Sequence, residues 1–157
     1  MNPSERFLAA FYQLMHNRDG LIEDCRLTQN VLCDTTAIDT ELAELIREIE
    51  VVTELSRKAI YENARSAADQ TEWTERNNAY LERHRKASEQ VDELEAIRRE
   101  RLGKGKIIES FIKDIEICPL AIAEFDQKLW LAVIDHVTVG QDGAMTFIFK
   151  NGSEETA

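Results

Sequence analysis

The sequence predicts a mainly α protein, a long antiparallel coiled-coil hairpin on a small α+β base that ends in a β-hairpin. Three observations predict it. Apolar residues from Ile38 to Val52 recur at alternating steps of four and three; a second such register runs from Trp73 to Leu94; and the stretch LWLAVIDHVTVGQDGAMTFIFKNG, Leu129 to Gly152, changes from helical to alternating periodicity. Two Pro and six Gly in 157 residues leave few breaks, so the helices should be long.

In chain order, residues 1–35 form the base helix. Phe7, Phe11, Leu14, Leu21, Cys25 and Leu32 repeat at helical spacing, with Leu8, Met15 and Ile22 widening the stripe, and the helix loosens at Arg18-Asp19-Gly20. Residues 36–102 form the arm. Its outgoing seam is Ile38, Leu42, Leu45, Ile49, Val52, Ser56, Ala59 and Asn63, and its returning seam is Trp73, Asn77, Tyr80, His84, Ala87, Val91 and Leu94. Asp69 is placed as the N-cap of the returning helix, which puts the tip near residues 64–71. A turn centred near residue 68 stacks Leu42 with Leu94, Leu45 with Val91, Ile49 with Ala87, Val52 with His84, Ser56 with Tyr80, Ala59 with Asn77 and Asn63 with Trp73. At about 1.5 Å per residue, residues 38–63 reach roughly 39 Å. A long arm with one narrow seam serves reach more than stability.

Polar Asn77 and His84 in the seam read as residues that fix register and weaken self-association, with a pH-sensing His84 as the alternative. Tyr61, Trp73 and Tyr80 near the tip read either as intramolecular packing or as an aromatic patch for a partner. Gly103 and Gly105 interrupt the returning helix where arm becomes base, either as a hinge or as tolerated surface glycines. Arg98, Arg99, Arg101, Lys104 and Lys106 form the one basic cluster, either a solvated helix face or a phosphate contact. Residues 103–157 complete the base. They comprise a short apolar helix through Ile107, Ile108, Phe111, Ile112 and Ile115, a helix from about Ala123 to Asp135, and the hairpin. Val137 and Val139 lie on one hairpin strand, Met145, Phe147 and Phe149 on the other, and Gln141-Asp142-Gly143 is the turn. An isolated hairpin is marginal, so the base helices cover its apolar face or it completes a sheet with another segment.

The net charge is −11, and none of the blocks 1–34, 35–68, 69–102, 103–118 and 119–157 carries a positive balance, which argues against strong nucleic-acid binding by this piece alone. No apolar run is long enough to span a membrane, and the start, MNPSERFLAAF, lacks a signal-peptide pattern, so a cytoplasmic location and no membrane partner are the expectation. Cys25, Cys33 and Cys118 are not in metal-ligand spacing and read as reduced, buried small hydrophobes. Neither a nucleophile elbow nor a phosphate-binding loop is present, so neither an enzyme nor a cofactor site is expected in this chain.

The order F-D-x-x-L-W-x-x-V-x-D-x-V-T-V, then D-G, an F-x-F strand and K-N-G, Phe125 to Gly152, resembles the C-terminal tail of large serine recombinases, the phage integrase and transposon resolvase family. The helix ending NRDGLIEDC, the acidic helix containing EIEVVTELSRKAIYENA and the return helix agree with it. The resemblance covers nearly the whole chain. It implies a zinc-ribbon domain remainder, 1–34 and 107–157, with an inserted coiled-coil arm, 38–102. The family's catalytic domain has no counterpart here, and no residue, Ser4 included, takes the nucleophile's role. The resemblance places zinc in the upstream part of the parent protein, with no metal held by this piece. It implies that DNA is held by other segments of the parent, that arm tips of recombinase subunits meet to control synapsis and direction, and that a directionality factor can take part. Tyr61, Asn63, Ala64, Gln70 and Trp73 are the residues expected at the tip contact. The rival reading is a free-standing coiled-coil adaptor, which should cover the apolar face of its own hairpin.

Overall fold

The computed structural model describes residues 1–65 and 69–157. It is mainly helical with a three-stranded antiparallel sheet at the C-terminus, and the chain divides into two compact units, Met1–Asp34 with Leu102–Ala157, and Thr35–Arg101. The helices are α1 Pro3–Met15, α2 Arg18–Leu32, α3 Thr36–Arg65, α4 Gln70–Ile117 and α5 Gln127–Val133; the strands are β1 Ile134–Val139, β2 Met145–Phe149 and β3 Glu154–Thr156.

In the first unit, local signals set each boundary. Asn2 caps α1 in a reciprocal box with Glu5, its side chain accepting from the Glu5 N–H and its own N–H donating to the Glu5 carboxylate, both at 2.9 Å, and Pro3 follows. The single long first helix expected from the apolar stripe is in fact two. The break falls at His16–Asn17 rather than at Gly20, because Asn17 caps α2 by accepting from the Gly20 N–H at 3.3 Å. A Cβ on Gly20 would lie only 2.4 Å from the Asn17 amide, so this glycine makes room for the cap and the helix continues through it. Asp126 caps α5 by accepting from the Lys128 N–H, which starts that helix four residues later than the apolar pattern suggests.

The core of this unit is aromatic. Phe7 and Phe11 of α1, Phe111, Ile112 and Ile115 of α4, Val133 of α5 and Phe147 and Phe149 of β2 are essentially inaccessible. Phe7 is the hub, with ring centroids of Trp130, Phe11, Phe125 and Phe147 at 5.0, 5.8, 5.8 and 6.1 Å, those of Trp130 and Phe125 edge-on. Each such side chain contributes about 1.5–3 kcal/mol by leaving water. The hairpin's apolar face is therefore covered by helices of its own chain.

β1 pairs with β2 in the register Val137↔Phe147 and Val139↔Met145, which puts the alternating apolar residues on one face. Gly143, at φ +80°, supplies the left-handed turn residue. The sheet has one strand more than the alternation predicted: β3 pairs with β2 through Phe147↔Glu155. Arg6 secures that end, donating from one guanidinium nitrogen to the Gly143 and Ala157 carbonyls at 2.9 and 3.0 Å.

In the second unit, contacts descend along α4 as they ascend along α3. Asp39 pairs with Arg98 at 2.7 Å, Glu48 with Arg83 at 2.8 Å, and Ser56 donates to the Asn77 side-chain oxygen at 3.1 Å. The two helices contact one another at these points. Their buried apolar side chains are few, namely Ile38, Leu42, Val52 and Ala59 from α3 and Ala87 from α4. Asp69 caps α4, accepting from the Thr71 N–H at 2.9 Å. The predicted turn centre near residue 68, and positions 66–68 of the predicted tip, lie outside the described residues.

Between residues 56 and 77 the layer register differs from the expected one by one step. Ser56 meets Asn77 instead of Tyr80, and Asn63 meets Gln70 instead of Trp73. Trp73 instead donates its indole N–H to the Ala59 carbonyl at 3.0 Å. Size and polarity explain the slip: the large indole sits against small Ala59, while two side-chain amides close a reciprocal pair, in line with the packing of large against small. His84, expected in the seam, is exposed and contacts Ser88 at 3.4 Å on its own helix.

The helix does not break at Gly103 and Gly105, where an interruption was expected. A Cβ at Gly105 would lie 3.1 Å from the Cys33 sulfur, so this glycine permits a close approach of α2's C-terminus. Gln29 completes the contact, donating to the Gly105 carbonyl at 3.0 Å. At Gly103 a Cβ would meet open space.

Candidate functional site

The end of the helical pair flanking residues 66–68 combines exposed charge with aromatic rings. Of the five residues expected at a tip contact, Tyr61, Ala64 and Gln70 are exposed and Asn63 and Trp73 are half-buried. Asn63 and Gln70 bond to one another, the Gln70 amide donating to the Asn63 oxygen at 2.9 Å and the Asn63 amide donating back at 3.4 Å. This pair ties the last turn of α3 to the first turn of α4. Tyr61, 59% exposed, instead faces Arg65, whose guanidinium contacts its hydroxyl and lies 5.0 Å from its ring centroid.

A cavity of about 200 Å³ opens beside this end, lined by Ala59, Glu62, Asn63, Asp69, Glu72, Trp73 and Arg76. Three carboxylates face one guanidinium across it, and Glu72 already pairs with Arg76 at 3.0 Å. Lys58 approaches Glu62 at 3.9 Å, a loose exposed contact. Of the residues at this end, Trp73 is marked by the seam pattern, whereas Glu62, Arg65 and Glu72 are not. Their signal was present as the i, i+4 pairs Lys58–Glu62, Tyr61–Arg65 and Glu72–Arg76 on a stretch where the apolar seam fades.

Nearer the middle of the pair, Val52, Ser56, Ile60, Tyr80, Leu81 and His84 line an open, largely apolar groove. Ile60 and Leu81 are more than half exposed, so the seam residues there are flanked by apolar side chains left in water.

The remaining candidates lie apart from this end and are described within their own units. Arg98 is engaged with the Asp39 carboxylate, Arg99 and Arg101 are exposed, and in the other unit Lys104 and Lys106 are exposed. Arg98 therefore already has an anionic partner in the fold. Gly103 and Gly105 belong to a continuous helix, as described above. Among the described residues, no group of three His, Cys, Asp or Glu is arranged to hold a metal ion, and no helix is long and apolar enough to cross a membrane.

The thiols have structural surroundings. Cys25 is buried and accepts from the Asn151 amide at 3.3 Å; burial pushes its pKa up, the Asn151 hydrogen bond opposes this and Asp24 adds to it. Cys118 is likewise raised, first by burial and then by Asp126. A raised pKa keeps both thiols protonated, the opposite of nucleophile activation. Along α4, Arg85 bridges Glu82 and Glu89 at 2.7 and 2.6 Å, which lowers the Glu82 pKa and raises its own, in a fully exposed network of small energetic weight.

Comparison with protein-family models, curated proteins and solved structures finds no match for the chain.

Proposed function

We propose that this chain is a non-catalytic C-terminal segment of a site-specific serine recombinase, in which Thr35–Arg101 is a long antiparallel coiled-coil arm. The arm end carries subunit–subunit contacts that govern synapsis and direction in DNA integration and excision. The observation that carries the reading is the residue order from Phe125 to Gly152, which resembles the tail of that family. The same motif supplies Trp130, Val133, Phe147 and Phe149 to the aromatic core, so its pattern is a packing requirement of the base.

The arm end supports a contact role on physical grounds. A narrow seam ending in an Asn63–Gln70 amide pair, with Tyr61 and Ala64 exposed, offers a small polar and aromatic surface. Such a surface is too small to join free molecules tightly. It becomes effective when DNA holds two subunits at a local concentration of about 1 mM. Other subunits are then the protein partners, a directionality factor is a further one, DNA is held by other segments of the parent, and zinc belongs to the upstream ribbon.

A second reading, a coiled-coil adaptor outside recombination, is favoured by one observation: Phe147 and Phe149 are covered by helices of this chain, as a self-contained base requires. Recombination by the parent enzyme separates the two. Charge substitutions at Tyr61, Ala64 and Gln70 should impair synapsis or reverse its directional bias. Unchanged integration and excision would remove the arm-end reading.

A further inference from the structure

We draw no further inference here: the strongest candidate, the open apolar groove of the helical pair lined by Val52, Ile60, Tyr80, Leu81 and His84, has its guanidinium, Arg57, already paired with Glu54, and nothing in the structure shows what covers it.

Discussion

The two units spend their apolar residues differently. The base concentrates five inaccessible phenylalanines, with Trp130 packed among them, in one cluster, whereas the helical pair of Thr35–Arg101 spreads five buried small or aliphatic side chains along its whole length. Free energy of burial follows area, so the base is the stable part and the pair is held by a thin seam supplemented by exposed ion pairs. The base is thus the better-buried unit, and the other leaves most of its helical surface exposed.

The largest expected effect is in the base. Phe147→Ala removes a ring that contacts both Phe7 and Trp130 and should cost about 3–5 kcal/mol in denaturant unfolding, enough to unfold the sheet at ambient temperature. In the pair, Val52→Ala, at the most buried seam position, should cost about 2 kcal/mol. If Val52→Ala proved as damaging as Phe147→Ala, the contrast between the units would fail.

Smaller still is the response of the two glycines in α4. Gly103→Ala should raise the melting temperature, with a gain of about 1 kcal/mol from helix propensity in open space. Gly105→Ala should gain none of this, because its Cβ must displace Cys33 and strain the Gln29 contact. Equal gains at both sites would show that the close approach to α2 is unimportant.

The smallest effect concerns pH. The Cys25 pKa is raised in the fold, mainly by burial, so the folded state retains this proton more firmly than the unfolded chain. Its contribution is complete below the unfolded thiol pKa and is lost as pH rises through the folded one. Stability measured across pH 8 to 11, a range set by the thiol pKa of about 8.5, should fall less steeply in Cys25→Ala than in wild type. Alkylation by iodoacetamide should likewise be slower at Cys25 than at the more accessible Cys33.

How much of this was legible in the sequence follows the same contrast. Periodicity found the helices and the alternating strands, because burial on one face writes a period into the chain: Phe7 with Phe11, and Met145 with Phe147 and Phe149. What it missed depended on polar detail. β3 is Glu154–Thr156, three polar residues with no alternation to read, and it is held by backbone pairing and by Arg6. The break before Asn17 and the late start of α5 were set by single capping side chains. The one-layer slip came from Trp73 choosing small Ala59, a matter of volumes that a heptad pattern does not weigh. At the candidate site the aromatic residues were legible and the charges around them were not, since Glu62 and Glu72 read as ordinary solvated helix surface until the fold placed them around one cavity.

The most direct test of the recombinase reading is the genomic sequence immediately upstream of the Met1 codon. The account predicts an open frame that continues through cysteine pairs of a zinc ribbon into a domain with a serine nucleophile. A stop codon followed by a ribosome-binding site just before Met1 would contradict it and leave the coiled-coil adaptor as the reading to pursue.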